Sequence, residues 1–425
     1  MTVIYVVLAG LALVWLAAAV VRYRRMVDFR LHIRDRADDF LARGRSTGAF
    51  DYPPVWLRED RRERGIVMCA GGPSLLTQAW TNLDVLRNEL GCRLPVALYY
   101  VGRDEMPEAC QRFFEESFDG LRCIDATKVP DRPLQPPTRA LGGFETKPFV
   151  LMNAPFDELV FIDADSVPLR DPATLFDSAL YTEHGNLFWP DACMLSNLVP
   201  HPGEFSHYGL QDGRARHFVQ GVNPRIFDYM RLPRPSTLER ASHETESGQI
   251  VLDRRRCFDA VQLAWFLSAR PEHFRLFFYG DTEMYRIAFG VAGRRFCQIP
   301  HRSFNAGVVH EGAFLGKAVI PRDEAGAPIF LHQMHRKPSL DAPWVPLTHV
   351  TTDPAVDHPR PRGARGLSMI ARVDALADLH PLDGPLEKLD QRIRSSLEAL
   401  RARRTDAHLP EPKPRPILQR RILPW

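Results

Sequence analysis

The chain is short of charge imbalance, of glycosylation sequons and of cysteine. Across 425 residues the net charge is only +3, with charged residues at 25%, so its composition makes no case for a nucleic-acid partner. No Asn-x-Ser/Thr triplet occurs anywhere. The seven cysteines, at 69, 92, 110, 123, 193, 257 and 297, are odd in number, scattered and without zinc-knuckle spacing. Neither a disulfide framework nor a structural zinc site is indicated, and reduced core thiols are expected.

One long apolar run is present. Residues 3–21 carry no charge and are long enough to cross a hydrocarbon core of about 30 Å as a helix. The alternatives are a membrane anchor and a cleaved signal peptide. The anchor is favoured because basic residues are missing before the run and follow it instead (Arg22, Arg24, Arg25), with no small-residue cleavage site in the flank. With Arg30, Arg34 and Arg36 further on, the positive-inside rule puts the remainder on the cytoplasmic side. The organisation expected is an anchor at 1–22, a juxtamembrane stalk at 23–64 containing Pro53-Pro54, a globular domain at 65–345 and a tail at 346–425.

From Gly65 onward, short apolar runs alternate with helical stretches, the pattern of an α/β domain. Strands are expected at 65–70, 95–101, 121–124 and 159–162. Between the first two, Leu83, Leu86 and Leu90 recur at helical spacing and Gly91 supplies a C-terminal stop. Strand, helix, strand implies a parallel pair with a right-handed crossover, whose ligands bind at the carboxyl ends of the strands. Helical patterning returns at 259–267. In the tail, Leu386, Leu389, Ile393, Leu397 and Leu400 mark one amphipathic helix. Its arginines, with Arg420 and Arg421, are open to two readings, contact with anionic lipid or a solvated face.

The chemistry concentrates at Leu159-Val-Phe-Ile-Asp-Ala-Asp-Ser-Val-Pro168, an apolar strand running into two carboxylates two residues apart. In an extended chain these point to the same side, so Asp163 and Asp165 are expected to share a hard divalent cation. Pro168 and Pro172 are expected to end the strand. The same residues also fit the Asp-x-Asp-x-Thr/Val nucleophile motif of haloacid-dehalogenase phosphatases. That reading calls for a later Gly-Asp-x-x-x-Asp, and Gly280-Asp-Thr-Glu-Met-Tyr285 has tyrosine in the final position.

Several further blocks occur in a fixed order: Gly65-Ile-Val-Met-Cys-Ala-Gly-Gly72, Leu86-Arg-Asn-Glu-Leu-Gly-Cys-Arg-Leu-Pro95, Gly143-Phe-Glu-Thr-Lys-Pro148, Ala154-Pro-Phe-Asp-Glu-Leu-Val-Phe-Ile-Asp-Ala-Asp165, Phe188-Trp-Pro-Asp191, Glu246-Ser-Gly-Gln249, Gly280-Asp-Thr-Glu283 and Leu331-His332. Together they resemble the fungal α-mannosyltransferases, family 71 of the glycosyltransferases, over about residues 65–340. The resemblance implies a GT-A (Rossmann-like) α/β fold, a nucleotide-sugar donor such as GDP-mannose, Mn2+ or Mg2+, and retention of anomeric configuration. It also implies a glycan or glycolipid acceptor.

On that resemblance Asp163 lies near the donor and, with Asp165 and His332, at the metal. Lys147 and Lys337 are expected to supply countercharge to the departing diphosphate. Gly71 and Gly72 would let the nucleotide approach the backbone closely, or merely form a turn. Asp191, Glu246, Asp281 and Glu283 are candidates for positioning sugar hydroxyls, and Gln249 for contacting donor or acceptor. Trp189 as core, and Glu246 and Asp281 as helix caps, are the structural alternatives. His335 and a zinc pair with His332 are disfavoured for want of a third soft ligand.

The irregular, aromatic stretch after Asp171, including 201–218, is expected to face the acceptor. The fungal enzymes are lumenal Golgi proteins, whereas the arginines here point to a cytosol-facing, single-pass enzyme of a bacterial inner membrane. A catalytically silent sugar-binding scaffold is the remaining alternative.

Overall fold

The structure, a computed structural model, describes residues 31–54, 62–130, 141–194, 225–233, 243–269, 281, 283–334, 336–353 and 370–411, with scattered residues between 10 and 28. Much of the apolar N-terminal run, the stretch 201–218, His335, Arg420 and Arg421 lie outside them. Among the described residues no helix is long and apolar enough to cross a membrane.

Helix α1 (Ile33–Ser46) precedes β1 (Arg62–Cys69), α2 (Gly72–Asp84, continued by a π turn to Glu89), β2 (Val96–Tyr100), α3 (Glu108–Ser117) and β3 (Leu121–Asp125). Next come α4 (Thr146–Asn153), β4 (Phe156–Ile162), β5 (Ser166–Pro168), α5 (Ala179–His184), β6 (Asn186–Met194) and α6 (Arg225–Tyr229). Then follow β7 (His243–Asp253), α7 (Arg254–Ser268), α8 (Met284–Ala292), β8 (Phe304–His310), β9 (Ala313–Ile320) and β10 (Phe330–His332). The chain closes with β11 (His349–Thr351), β12 (Ile370–Arg372), β13 (His380–Pro381) and α9 (Gly384–Ala402).

The first sheet has the order β3-β2-β1-β4-β7-β6. The four strands anticipated from sequence are its parallel half, and β7 and β6 extend it antiparallel. All seven residues of β4 are buried, as a strand covered on both faces requires. The second sheet, β13-β11-β8-β9-β10-β5 with β12 on β9, is antiparallel in every pairing.

Two expectations about domain limits are corrected. Residues 33–52 are not a stalk: Ile33, Ala37, Phe40 and Leu41 are buried in the main core, with Phe40 stacked on Phe266 at 4.4 Å. Tyr52 donates to buried Asp157 at 2.6 Å and accepts from buried Arg254 at 3.1 Å. Nor does the domain close near Trp344, because β11 pairs with β8 and α9 packs on α2. The five apolar residues expected on the tail helix are all buried. Its arginines mostly grip protein: Arg392 pairs with Asp84 at 2.9 Å, and Arg403 lies 4.6 Å from the Phe113 ring.

Candidate functional site

The Asp163–Asp165 turn is where the chain leaves one sheet and enters the other. Strand β4 ends at Ile162 and Ser166 begins β5, so the two aspartates stand on a turn instead of an extended strand. This corrects the expected geometry: i and i+2 need not share a side here, and the carboxylates address different partners. Pro168 ends β5 rather than β4, and Pro172 opens a 3-10 turn.

Backbone bonds pin the turn, with Asp163 N donating to Gly248 O at 2.7 Å and Ser166 N to Asp163 O at 2.9 Å. From α2, buried Asn82 donates to the carbonyls of Ser166 (2.8 Å) and Asp163 (3.3 Å). Below it, Ser166 Oγ donates to Gln249 Oε1 at 3.0 Å. Gln249 is fully buried, so it braces the turn.

Asp163 pairs with Lys147 of α4 at 2.7 Å. The same Nζ lies 3.6 Å from Asp281 and donates to Ser247 O (3.1 Å) and Oγ (3.0 Å). Lys147 is therefore no surface lysine. Burial opposes its charge, yet Asp163 and Asp281 outweigh that and raise its pKa. Burial pushes Asp163 up to about 6 despite Lys147, with Asp165 adding repulsion. Burial also raises Asp281, which accepts from Ser247 Oγ at 3.1 Å and Tyr285 OH at 3.3 Å.

Asp165 has two other cations. Ladder register places His332 opposite Ser166, bringing His332 Nε2 to 3.4 Å from Asp165 Oδ1, while Lys337 Nζ contacts Asp165 Oδ2. Burial works against the Asp165 carboxylate, but His332 and then Lys337 hold it below the usual carboxylate range. The other ring nitrogen, Nδ1, faces Glu246 Oε2 at 3.4 Å, an ion-pair separation without an aligned hydrogen bond. Burial opposes the imidazolium, yet Glu246 and Asp165 raise its pKa well above 6.5. Glycine at 248 leaves room for these side chains, since a Cβ there would stand 2.9 Å from Glu246 Oε1 and 3.1 Å from the His332 ring and would push them aside.

Among the described residues, no three His, Cys, Asp or Glu side chains are gathered around one point. The 3.4 Å between Asp165 Oδ1 and His332 Nε2 is nevertheless close to the ~3 Å edge of an octahedron with ~2.1 Å bonds. Behind the histidine the Glu246 carboxylate stands at ion-pair distance, on the side where metal-ligating imidazoles have an orienting partner. The donor set of Asp165 and His332, with Asp163 adjacent, fits a hard divalent cation.

Other expected residues fall elsewhere. Glu283 is fully buried, accepts from Thr245 N (2.7 Å) and Oγ1 (3.0 Å) and pairs with Arg286 (3.2 Å). It braces β7 and is not placed to hold a sugar. Trp189 is core, with Nε1 donating to Arg322 O at 2.8 Å. Asp191 is half-buried on β6, with β7 between that strand and β4. Among the described residues, neither Glu246 nor Asp281 caps a helix. Gly71 caps α2 and Gly72 takes φ +71°, a turn needing glycine, packed beneath Glu105. Asn82 was not anticipated from sequence.

The candidate site is thus a carboxylate turn at the end of a parallel β strand, flanked by two lysines and a histidine. Residues 63–317 match the family model Mannosyl_trans3, described as "Mannosyltransferase putative", and the chain belongs to that family. His332 and Lys337 lie beyond the matched residues. The chain is 25% identical over 253 residues to alpha-1,2-mannosyltransferase MNN5 of Saccharomyces cerevisiae, covering 54% of this chain and 40% of that protein. It is 23% identical over 276 residues to MNN2 of the same yeast, covering 60% and 45%. The chain thus spans less than half the length of these relatives.

Similar solved structures include the galactosyltransferase LgtC with donor and acceptor sugar analogues (13% identity, TM-score 0.32, 55% of this chain and 72% of that one). Another is core-mannan synthase A of Aspergillus fumigatus in its Mn/GDP form (8% identity, TM-score 0.30, 54% and 70%).

Proposed function

We propose that the chain is a GT-A-type retaining α-mannosyltransferase that moves mannose from GDP-mannose to a hydroxyl of a glycan or glycolipid. Family membership supports the sugar, and the observation that carries the site is the convergence of Lys147, His332 and Lys337 on the Asp163–Asp165 turn, with Asp281 and Glu246 behind Lys147 and His332. Asp165 and His332, joined by Asp163, would hold Mn2+ or Mg2+, which neutralises charge on a nucleoside diphosphate.

The remaining steps belong to side chains. Lys337, half-exposed, reaches out to the diphosphate and stabilises the negative charge that collects as the bond to the sugar breaks. Lys147 holds Asp163 and Asp281 in fixed positions. The acceptor hydroxyl attacks from the face the diphosphate leaves, and a phosphate oxygen takes its proton, so no protein base is needed. Glu246 orients His332.

The phosphatase alternative loses ground to family membership, and Tyr285 hydrogen-bonds Asp281 where a second aspartate was required. The tail helix is packed on protein, so the run 3–21 alone is proposed as the membrane tether, with the globular part on the cytoplasmic side. Protease protection of that part in sealed, inverted inner-membrane vesicles, whose cytoplasmic face is outward, would contradict the orientation.

The deciding assay is donor turnover by the full chain with GDP-mannose, UDP-glucose, UDP-galactose and UDP-N-acetylglucosamine, with Mn2+ or with chelator. Turnover of GDP-mannose alone, dependent on Mn2+ and lost in Asp165→Asn, is the expected result. Absence of both turnover and nucleotide binding would leave the scaffold reading.

A further inference from the structure

We propose that α9, well beyond the family-matched residues, is a working part of the donor-phosphate site. It brackets residues 336–342 so that Lys337 is presented at Asp165, and Asp390 and Arg401 are the positioning residues. This rests on the reading that Lys337 serves a diphosphate.

Lys337 needs such help. His332 is fixed by its ladder to β5, but Lys337 lies five positions further on, in chain with no helix or strand. A long side chain on irregular backbone has much conformational freedom to lose on binding. Two clamps from α9 remove part of that freedom beforehand.

The first is Arg336, the residue beside Lys337 and only 5% exposed. Its Nη1 contacts Asp390 of α9 and donates to Val345 O at 3.0 Å, Nη2 donates to Gln333 Oε1 at 3.2 Å, and the guanidinium lies 3.9 Å from the Trp344 ring. Gln333 N in turn donates to Asp165 O at 2.9 Å. A continuous series of contacts therefore joins Asp165 to Asp390. The second clamp is Arg401, which donates to Ser339 O (2.8 Å), Leu340 O (3.2 Å) and Ala342 O, with Arg404 pairing Asp341 at 2.7 Å nearby.

What α9 stands on makes the bracket specific. It packs against α2 and is tied to it by Arg392–Asp84. The same α2 carries Asn82, which holds the Asp163–Ser166 turn. One helix thus registers the carboxylates and the lysine arm against each other. A buried ion pair such as Arg336–Asp390 adds little stability over an apolar pair, and the proposal gives it a positional role.

The test is GDP binding at saturating Mn2+, alongside Mn2+ binding alone followed by electron paramagnetic resonance. The proteins are the full-length wild type, Lys337→Ala, Arg401→Ala and the double variant. Arg401→Ala is expected to leave Mn2+ affinity within about twofold and to weaken GDP on the order of tenfold. It should add nothing once Lys337 is already alanine. Additive losses in the double variant, or unchanged GDP binding in Arg401→Ala, would overturn the proposal, since a general loss of structure weakens both ligands regardless of Lys337. If Arg401→Ala does not fold, Asp390→Asn enters the same cycle with the same outcomes. A wild type that binds neither Mn2+ nor GDP removes the underlying reading of the site instead.

Discussion

Replacing Lys147 by methionine is the sharpest test of how the site is held in the absence of ligands. The ammonium is the common partner of Asp163 at 2.7 Å and Asp281 at 3.6 Å, and the three side chains are only 14%, 22% and 2% exposed. Methionine keeps the volume and removes the charge, stranding two carboxylates in a poorly solvated site. Removing one partner of a buried pair costs about 3–5 kcal/mol, so the variant should lose stability of that order at pH 8 with chelator present.

The pH dependence gives the prediction a second edge. Burial already raises Asp163 to about 6 with the lysine in place, and burial raises Asp281 as well. Without Lys147 both rise further. A carboxyl group whose folded pKa exceeds its unfolded value binds its proton more tightly when folded, so stability falls as pH rises through the folded pKa. The deficit of Lys147→Met should therefore be full at pH 8 and shrink toward pH 5 as the stranded carboxylates take up protons. Urea unfolding of both proteins at the two pH values measures it. A deficit below about 1 kcal/mol at pH 8, or one equal at both pH values, would refute the reasoning. Added Mn2+ should restore part of the loss at pH 8, because a ligand that binds only the folded state stabilises it.

Further outcomes follow from the same geometry. Asp165→Asn should weaken Mn2+ binding by about 100-fold or more, read by titration calorimetry. Mn2+ affinity in the wild type should rise from pH 6 to pH 8, because burial opposes the His332 proton but Glu246 and Asp165 retain it, and the ion must displace it; a flat profile would exclude His332 as ligand. Phe40→Ala should cost about 3–5 kcal/mol, since α1 is core and not stalk; a surface-like loss of a few tenths would restore the stalk. Glu283→Gln should lower stability by about 1–3 kcal/mol with kcat unchanged, and a selective fall in kcat would return Glu283 to the active site.

The parallel half of the first sheet was legible because β1, β2, β3 and β4 are apolar runs separated by a patterned helix. The tail helix was equally legible, its five buried positions marked by spacing alone, although periodicity could not say whether protein or lipid covers them. The second sheet was not legible. Strands β5, β10 and β11 are three residues each and β13 is two, too short for any period to show. Asn82 escaped notice for a different reason. Its role runs through backbone carbonyls 81 and 84 positions away, and a single asparagine on a helix carries no sign of that. Glu283 misled because its acidic neighbourhood matched a motif, whereas its carboxylate is consumed by β7 and Arg286.

The division of the site between two sheets explains why its residues are so dispersed in sequence. Asp163 and Asp165 close the parallel sheet, Glu246 and Gln249 come from the strand paired antiparallel to β4, and His332 arrives on β10 of the second sheet. Only the passage of the chain from β4 to β5 brings these together, and that passage is fixed by apolar neighbours on either side. Ile162, Val167 and Leu331 are all fully buried, and Val167 and Leu331 stand opposite each other in the β5–β10 ladder. A change in their packing would move Asp165 against His332, and a close-packed interior cannot absorb such a shift elsewhere. The geometry of the proposed site is therefore a property of the junction between the sheets: residues 63–317 contain both aspartates and Lys147, and His332 and Lys337 are added by β10 and the arm beyond it.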